Sequence, residues 1–446
     1  MLTLKLPIVN LRVTPTLHYR GLFAVLNLTK TNRKMKKVLL SILTITIIGF
    51  FSSCSSDDNG DIIPTDDGGQ GIETQLTGQI TSNKTLTNDV IWEIEGRVTV
   101  TNGAVLTIEA GTIIKAYAGS GANASTLIIA RDAKIMANGT SNNPIIFTSA
   151  ADNIQIGQAA GGNLTENDRG LWGGLIVLGN AEISVEGNAL ESQIEGIPAS
   201  DTNGLYGGSN NTDNSGEINF ISIRHGGAEI GEGNEINGLT LGGVGSGTTI
   251  SNVEVVGNVD DGIEFFGGTV NVSNALVWAQ GDDGLDIDQA YSGTITNSVV
   301  VLGDISDHGM EIDGPEGTLE GSFTLSGITL IGNTNTENGE YADYRSNAMG
   351  VSNNVFARGF KESSDVEIDN DGVATNYNDG KLQFGTWEIV LPEGLLSVQE
   401  IFVNKAENVT ATGFGDNAQA VSNGSEAVGA NLSDFGWTYA NSKGAL

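Results

Sequence analysis

The chain is short of several residue types, and each shortage narrows the class of protein. Its 446 residues contain one cysteine, so no disulfide can form within the chain. Lysine and arginine together number 21 against 54 aspartates and glutamates, which gives a formal net charge of −33 at pH 7. Because such a surface repels the phosphates of nucleic acids and anionic lipid headgroups, we expect no nucleic-acid partner.

Long apolar runs and helix signals are also scarce. The apolar run at residues 38–51 is too short to cross a bilayer, which takes about 20 residues in a helix. Glycine occurs 62 times and proline only 7 times, a composition that fits many tight turns better than long helices. The sequence contains instead short segments of alternating apolar residues between turns.

An acidic turn followed by an apolar-alternating segment recurs three times in the second half of the chain. The copies lie at residues 260–265, 282–287 and 307–312, and their glycines are 22 and then 25 positions apart. A nearly constant period of this size is typical of a solenoid, in which each repeat buries its apolar face only by stacking on its neighbours. The repeat therefore predicts the fold and also aligns acidic side chains in columns.

A second ladder has the same period. It consists of residues 250–252, 272–274, 295–297, 325–327 and 351–353. Four of these five segments end in asparagine, at Asn252, Asn274, Asn297 and Asn353. Asparagine tolerates a left-handed backbone, and its amide can donate to one coil and accept from the next. The pattern resembles the asparagine ladder of right-handed parallel β-helices in the pectin-lyase-like superfamily, most clearly over residues 219–357.

Upstream segments continue the alternation and extend the predicted solenoid. Residues 103–114 and 127–135 have apolar residues at every second position between glycine and asparagine turns. We therefore predict an all-β chain, a single-stranded right-handed parallel β-helix at residues 81–370. A β-sandwich is the alternative, but sandwiches seldom repeat a motif at a near-constant offset. Residues 371–446 are expected to form a C-terminal cap over the exposed last coil, with a small binding module as the alternative.

Residues 35–54 have the pattern of an export signal. A lysine pair precedes the apolar run, and two serines and Cys54 follow it. This looks like a bacterial lipoprotein signal, and the resemblance implies that Cys54 is lipidated and anchors the protein to the outer membrane. An ordinary signal peptide cleaved nearby is the alternative. Residues 1–34 are rich in lysine and arginine, and we interpret them as a gene-model extension.

Residues 55–80 are interpreted as a tether. They are rich in glycine and aspartate and poor in apolar residues, so we expect them to be disordered. The acidic tract directly behind Cys54 looks like the export signal of surface-exposed lipoproteins in the Bacteroidetes lineage. That resemblance implies a cell-surface location, with the periplasmic face of the outer membrane as the alternative.

The repeated acidic turns raise the question of function. Alternation along residues 285–288 turns Leu285 and Ile287 inward and Asp286 and Asp288 outward. The two predicted columns are Glu264, Asp286 and Glu311, and Asp261, Asp283 and His308. Strands in neighbouring coils lie about 4.8 Å apart, and like charges at that distance repel by about 1 kcal/mol in water. A bound cation, a raised pKa, a substrate or hydration must offset this repulsion.

Calcium is the first candidate for that role. It takes about 6–8 oxygen ligands, preferably from carboxylates and carbonyls in flexible turns. The predicted metal ligands are Asp261, Glu264, Asp283, Asp286, Asp288, Glu311 and Asp313. Their spacing matches neither an EF-hand nor the nine-residue period of calcium-binding β-rolls. The alternative is that each Asp-Asp-Gly turn merely solvates its own charge.

Glycoside hydrolysis is the second candidate. Residues 258–260, 282–283, 307–309 and 345–347 look like the Asn-x-Asp, Asp-Asp, Gly-His-Gly and Arg-x-Lys motifs of polygalacturonases. The resemblance implies the following candidate catalytic set: Asp282 or Asp283 as the general acid, Asp260 activating water in an inverting mechanism, His308 tuning the acid and Arg345 holding a sugar carboxylate.

Two positions depart from the polygalacturonase pattern. Asp307 stands where the first glycine is expected, and Asn347 replaces the lysine. The missing lysine counts against a polyuronate substrate, which needs cationic subsites. A lyase fits the sequence less well than a hydrolase, because it needs a lysine or arginine base. Apart from histidines, only Arg224 is basic between residues 219 and 343.

Binding without catalysis is the third candidate. Aromatic residues fall near the predicted turns, where exposed rings can stack on sugar faces. They are Trp172, Tyr206, Phe265, Phe266, Trp278, Tyr291, Tyr341 and Tyr344. Taken one by one, each ring is favoured as a filler of the core or of a turn, which is the alternative. The wider sequence is similar to a family of Bacteroidetes surface lipoproteins, which implies fold and location but no activity.

The sequence thus favours an outer-membrane-anchored surface lipoprotein whose acidic face binds divalent cations, glycans or both. Two alternatives remain, a polygalacturonase-like glycoside hydrolase and a structural or adhesive surface protein without catalysis.

Overall fold

A computed structural model describes residues 73–230 and 235–446. The predicted extension, the signal with Cys54 and most of the tether lie outside the described residues. Within the described part of the chain, no helix is both long and apolar enough to cross a membrane.

Short parallel strands form the first coils because alternate residues are apolar. In Val105–Ile108, for example, Leu106 and Ile108 are buried, and Val105 and Thr107 are half-buried. These strands are β1 (Gln75–Ile80), β2 (Lys84–Leu86), β3 (Ile91–Val100), β4 (Val105–Ile108), β5 (Ile113–Ala116), β6 (Thr126–Ile129), β7 (Lys134–Asn138), β8 (Ile145–Ser149) and β9 (Leu175–Leu178).

An insertion between residues 179 and 215 leaves the coil. It carries the antiparallel pair β10 (Ser192–Gln193) and β11 (Leu205–Tyr206) and two short 3-10 helices, Glu186–Asn188 and Thr202–Gly204. Its apolar side chains pack on the outer face of the coils in a cluster of their own. That cluster includes Ile183, Val185, Ile194, Ile197 and Tyr206 against Ile176, Leu178 and Phe266. The insertion therefore walls one side of the solenoid.

The central coils contribute two strands each, one long and one short. They are β12 (Gly216–Arg224), β13 (Leu239–Gly242), β14 (Thr249–Val256), β15 (Ile263–Phe266), β16 (Asn271–Trp278), β17 (Leu285–Asp288), β18 (Thr294–Val301), β19 (His308–Ile312), β20 (Phe323–Ile331), β21 (Glu340–Tyr344), β22 (Gly350–Arg358) and β23 (Val366–Ile368). Even-numbered strands stack in parallel on even-numbered ones, and odd on odd. Leu285 and Ile287 point into the core, as predicted.

The strand stacking confirms the predicted fold. All but β10 and β11 belong to one 25-stranded sheet whose pairings are parallel, which is the arrangement of a right-handed parallel β-helix. The asparagine ladder is also present. Asn252 donates to Asn219 (2.8 Å), Asn274 to Asn252 (3.0 Å) and Asn297 to Asn274 (2.6 Å). Asn252, Asn274 and Asn297 all have left-handed φ angles of 48–56°.

The fifth rung of the predicted ladder was wrong by one residue. Asn353 pairs with Ser326, so Asn354 stands opposite Gly327. Asn354 and Gly327 have the left-handed backbone, with φ angles of 54° and 71°. Asn353 instead accepts a hydrogen bond from the backbone of Thr386 (2.9 Å). Because two asparagines follow each other here, matching the repeated Ser-Asn pattern selects the first of them and misplaces the register by one residue.

The coils extend past both predicted boundaries, 81 and 370. At the start, β1 already pairs in parallel with β3. Beyond 370 come a helix, α1 (Asp371–Asn378), four strands and a 3-10 helix. These strands are β24 (Leu382–Phe384), β25 (Trp387–Ile389), β26 (Phe402–Asn404) and β27 (Ala418–Ala420), and the 3-10 helix is Val398–Ile401. They pair with β22, β23 and β25, so the segment predicted as a cap contains further coils.

The final residues fold back along the side of the solenoid. A 3-10 helix, Leu432–Phe435, and the short helix α2 (Tyr439–Lys443) pack on the outward faces of β14, β16 and β18. The backbone N–H of Ala440 donates to the buried carboxylate of Glu254 (2.8 Å). This part of the tail therefore covers central coils.

Candidate functional site

A cavity of about 480 Å³ opens on the odd-numbered strands of the central coils. It lies where β15, β17 and β19 meet the turns that precede them. The lining residues are Glu195, Glu235, Asp260, Asp261, Glu264, Asp282, Asp283, Asp286, Asp307, His308, Glu311 and Arg345. Ten carboxyl groups thus share one cavity with one histidine and one arginine, and we call it the acidic pocket.

The acidic pocket brings together most of the residues proposed from the sequence. All five candidate catalytic residues line it, and so do five of the seven candidate metal ligands. Asp288 and Asp313 are outside the lining. Asp313 nevertheless contacts the pocket through Arg345, whose Nε donates to its carboxylate (2.9 Å).

The first predicted column has the expected register. Glu264 pairs with Asp286, which pairs with Glu311, and the column continues to Asp343 and Glu367. These side chains point away from the apolar core, but they are buried and not solvent-exposed. Residues from outside the column, such as Glu195 from the insertion, enclose them.

The second predicted column connects successive turns. The backbone N–H of Asp283 donates to the carboxylate of Asp261 (2.9 Å), and the N–H of His308 donates to that of Asp283 (2.8 Å). The His308 ring nitrogen Nδ1 lies 2.8 Å from the same Asp283 oxygen. One carboxylate in each of the first two acidic turns therefore has a structural role, since it holds the backbone of the next coil.

Burial and mutual repulsion change the acidity of the pocket. Burial, with the neighbouring carboxylates, raises the pKa of Asp261, Glu264 and Asp286 well above the ordinary range. The same causes raise the pKa of Asp260 to about 7 and of Asp282 to about 6. Without a cation, the pocket relieves repulsion by retaining protons.

One end of the pocket carries its own positive charges. Arg345 contacts Glu311 and Asp313. Burial lowers the pKa of His308, but the hydrogen bond and charge of Asp283, with Asp307 and Glu311, raise it to about 9. Burial and Asp283 also raise the pKa of Glu311, although Arg345 opposes this.

The other end has the geometry of a cation site. One carboxylate oxygen from each of Asp261, Glu264 and Asp286 lies within 4.8 Å of the others, and Asp260, Asp261 and Asp282 form a second such set. Two ligands of one calcium ion, each at about 2.4 Å, lie at most about 5 Å apart, so each set can reach a single ion. Asp286 is 8 % exposed, and its Oδ1 has no hydrogen-bond partner among the described residues.

The arrangement fits glycoside hydrolysis less well. An inverting mechanism places its two carboxyl groups about 6.5–9.5 Å apart to leave room for water. Asp260 and Asp282 have oxygens within 4.8 Å of each other. Asp283 Oδ1 already accepts two hydrogen bonds from His308.

The candidate sugar-stacking aromatics are not on the surface. All eight are at most 9 % exposed, as expected of core or turn fillers, so they offer no exposed rings for sugar stacking. They fill the core and the clusters beneath loops, as Phe265 and Tyr291 do with ring centroids 4.7 Å apart. A ring near a turn still faces inward when the coil diameter leaves apolar space to fill.

Three contributors to the site were not identified from the sequence. Glu195 and Glu235 line the pocket, and Asn237 donates its amide to Glu264 and to Glu195 (3.2 Å). Glu195 belongs to the insertion, which has no repeat signal. Only Asn237 has a sequence cue, because it stands just before β13 as the acidic turns stand before β15 and β17.

Comparison with known proteins supports the architecture. The pectate-lyase-like β-helix domain matches residues 78–439, which is most of the chain and includes every strand that lines the pocket. No curated protein and no solved structure gives a significant match. The matched region also includes the coils beyond residue 370 and most of the folded-back tail. The chain therefore belongs to the pectate-lyase-like β-helix domain family.

Proposed function

We propose that the acidic pocket binds a divalent cation, with calcium as the best fit, in a β-helical surface protein anchored by lipid at Cys54. The observation that carries the proposal is the buried carboxyl group of Asp286, whose Oδ1 has no partner among the described residues and which has an oxygen within 4.8 Å of oxygens of Asp261 and Glu264.

The energetics favour a bound ion over bare carboxylates. A buried charged group without a partner costs several kcal/mol. In this column the repulsion between neighbouring carboxylates adds to that cost, because Glu264 and Asp286 are directly paired across adjacent strands. A divalent ion between them removes both penalties.

The donor chemistry favours calcium over softer metals. Asp261, Glu264 and Asp286 offer only oxygen, and Asp260 and Asp282 can supply more oxygen from the adjoining turns. Oxygen-rich sites with many flexible donors suit calcium, whereas zinc prefers nitrogen and sulfur. The Nδ1 of His308, at the other end of the pocket, is engaged with Asp283.

The test is a calorimetric titration of the full-length protein with calcium chloride. We expect saturable binding that Asp286→Asn weakens at least tenfold, because the amide removes the charge that the ion neutralises. Asp304→Asn is the matched control, since Asp304 is exposed and pairs with Arg169 outside the pocket. Absence of binding by the wild-type protein with calcium, magnesium and manganese at millimolar concentration would overturn the proposal.

We also propose a glycan ligand, whose binding depends on the cation in the acidic pocket. Family membership is compatible with a glycan-related role, but the buried aromatics offer no stacking platform. An acidic glycan needs a bound cation to approach ten carboxyl groups. A glycan array probed with and without calcium tests this, and calcium-independent binding would contradict it.

Polygalacturonase-like hydrolysis is the second candidate, because the five candidate catalytic residues line one cavity. Asp283→Asn should abolish the release of reducing ends from oligogalacturonides if it is correct. No release by the wild-type protein would eliminate it.

The lipid anchor and surface location rest on the sequence around Cys54. Incorporation of labelled fatty acid that is lost in Cys54→Ala tests the anchor. Digestion of intact cells by an added protease tests surface exposure.

A further inference from the structure

Beyond the two sets that share Asp261 and so mark one position, the acidic pocket has a third set of atoms arranged like metal ligands. Oxygens of Asp283 and Glu311 and a ring nitrogen of His308 lie within 4.8 Å of one another. Glu311 pairs with Asp286 on the neighbouring strand, so this set lies one coil further along the same column. The pocket therefore has two adjacent positions with the geometry of a cation site.

The two positions differ in what already occupies them. The charges that act most strongly on Asp286 are all negative, and its Oδ1 has no partner within the described ranges. At the second position, Arg345 contacts the carboxylate of Glu311, and its Nε donates to Asp313 (2.9 Å). No positively charged group is therefore among those that act most strongly on the first position, around Asp286. The second position, at Glu311, already has the positive charge of Arg345.

We infer that Arg345 is a tethered cation that fills the second position and thereby limits the pocket to one divalent ion. The inference rests on the proposed cation site and assigns a specific role to Arg345, namely setting how many ions bind. Removing its charge frees Glu311, so that the set of Asp283, His308 and Glu311 can hold a second ion, with Asp313 released beside it.

The attachment of Arg345 suits this role. Its backbone N–H donates to Ile312 (2.9 Å), which fixes the start of the side chain one coil away from the carboxylates it contacts. Ser346 and Asn347 follow in left-handed conformation, with φ angles of 45° and 63°, so the chain turns away directly after it. The side chain itself is 40 % exposed. It can be replaced without opening the apolar core.

An arginine is also the appropriate residue for a permanent substitute ion. Its guanidinium keeps its charge at all physiological pH values, and its planar fork can contact two carboxylates at once. A divalent ion that competes for Glu311 and Asp313 must displace this fork. At the first position, around Asp286, a divalent ion has no such arginine to displace.

The experiment compares ion stoichiometry in wild-type protein, Arg345→Gln and Lys381→Gln, measured by calorimetric titration of the full-length chains with calcium. Glutamine keeps the approximate length and removes the charge. Lys381 pairs with the exposed Glu320, which does not line the pocket, so its replacement is the matched control. We expect one ion for the wild type and Lys381→Gln and two for Arg345→Gln.

Each outcome separates the two proposals. One ion in both wild type and Arg345→Gln overturns the inference and leaves the proposed function standing. No ion in any variant overturns both. The double variant Arg345→Gln with Glu311→Gln should return to one ion, and retention of two would also overturn the inference. If Arg345→Gln is too unstable for titration, its melting temperature is measured with and without calcium. Binding of the second ion should restore the melting temperature.

Discussion

Two columns of side chains in this solenoid have one member in each coil. Stacking stabilises one column, and in the other it brings like charges together. In the asparagine ladder, Asn252 and Asn274 each donate to one coil and accept from the next, and Asn297 donates to Asn274 and accepts from the backbone of Asn431 in the tail. The acidic column stacks Glu264, Asp286 and Glu311, whose ionised carboxylates can only accept. A stack of amides satisfies itself, whereas a stack of carboxylates requires a positive charge or protons from elsewhere.

The same difference separates structure from function along the chain. The ladder is complete without any ligand, so its purpose is to hold the coils in register. The acidic column has an unpaired buried oxygen at Asp286 and receives Arg345 at Glu311. Where stacked carboxylates have no positive partner within their own column, a ligand or a neighbouring residue must supply the positive charge.

The largest expected effect comes from making the ladder resemble the acidic column. In Asn274→Asp the carboxylate can still accept from Asn297 but can no longer donate to Asn252, so two acceptors face each other. We expect the free energy of unfolding to fall by about 1–3 kcal/mol, the usual cost of a buried acceptor without a donor. Denaturant titration at pH 7 measures it.

Asn354→Asp is the control for that change. Asn354 has the same left-handed backbone but makes only a 3.4 Å contact with Ser326. Its replacement should cost clearly less than that of Asn274. Equal losses at the two positions would show that hydrogen bonding along the ladder does not explain its stability.

The next largest effect is a pH dependence that only the acidic column produces. Folding raises the pKa of Asp260 to about 7 and of Asp282 to about 6, and that of His308 to about 9. The folded state therefore binds more protons than the unfolded state between about pH 4 and 9, so stability falls as pH rises. Without calcium, we expect the free energy of unfolding to drop by at least about 1.4 kcal/mol from pH 5 to pH 8, the value of one pKa unit.

Calcium should flatten this pH profile, because the ion takes the place of the retained protons. Thermal melting from pH 5 to pH 9, with calcium and with a chelator, provides the comparison. A chelated protein that becomes more stable toward pH 8 would contradict the explanation.

The smallest effect is expected from making the acidic column resemble the ladder. Asp286→Asn removes the repulsion between Asp286 and Glu264. Without calcium it should raise the free energy of unfolding at pH 8 by about 1 kcal/mol, which corresponds to one pair of like charges about 4 Å apart in bulk water. With saturating calcium the order should reverse, since the wild type then gains the binding energy. Chemical denaturation in both conditions tests the reversal.

Several features were predictable from the sequence because they depend on local periodicity. The period near 22–25 residues predicted the parallel β-helix, and strand alternation placed Leu285 and Ile287 inside and Asp286 outside the core. The repeats also predicted that Glu264, Asp286 and Glu311 would be neighbours. Where two asparagines are adjacent, at Asn353 and Asn354, the same reasoning selected the wrong one.

Other features required the folded chain because they depend on distant segments. Whether a side chain that points outward is exposed depends on what lies over it, and for the acidic column that includes Glu195 from the insertion. The aromatic residues near turns could from the sequence be either exposed or buried, and the folded chain places them in apolar space inside. Periodicity says which way a residue points, but it does not say what surrounds it.

The sequence by itself thus determined the solenoid and the alignment of its acidic columns, since a repeated strand must stack on its own copy to bury its apolar face. Only the tertiary structure decided that the columns form a buried pocket, that Asp286 lacks a partner and that Arg345 neutralises one end. These outcomes depend on which loops approach the repeated face, and a loop without a period has no signal that places it.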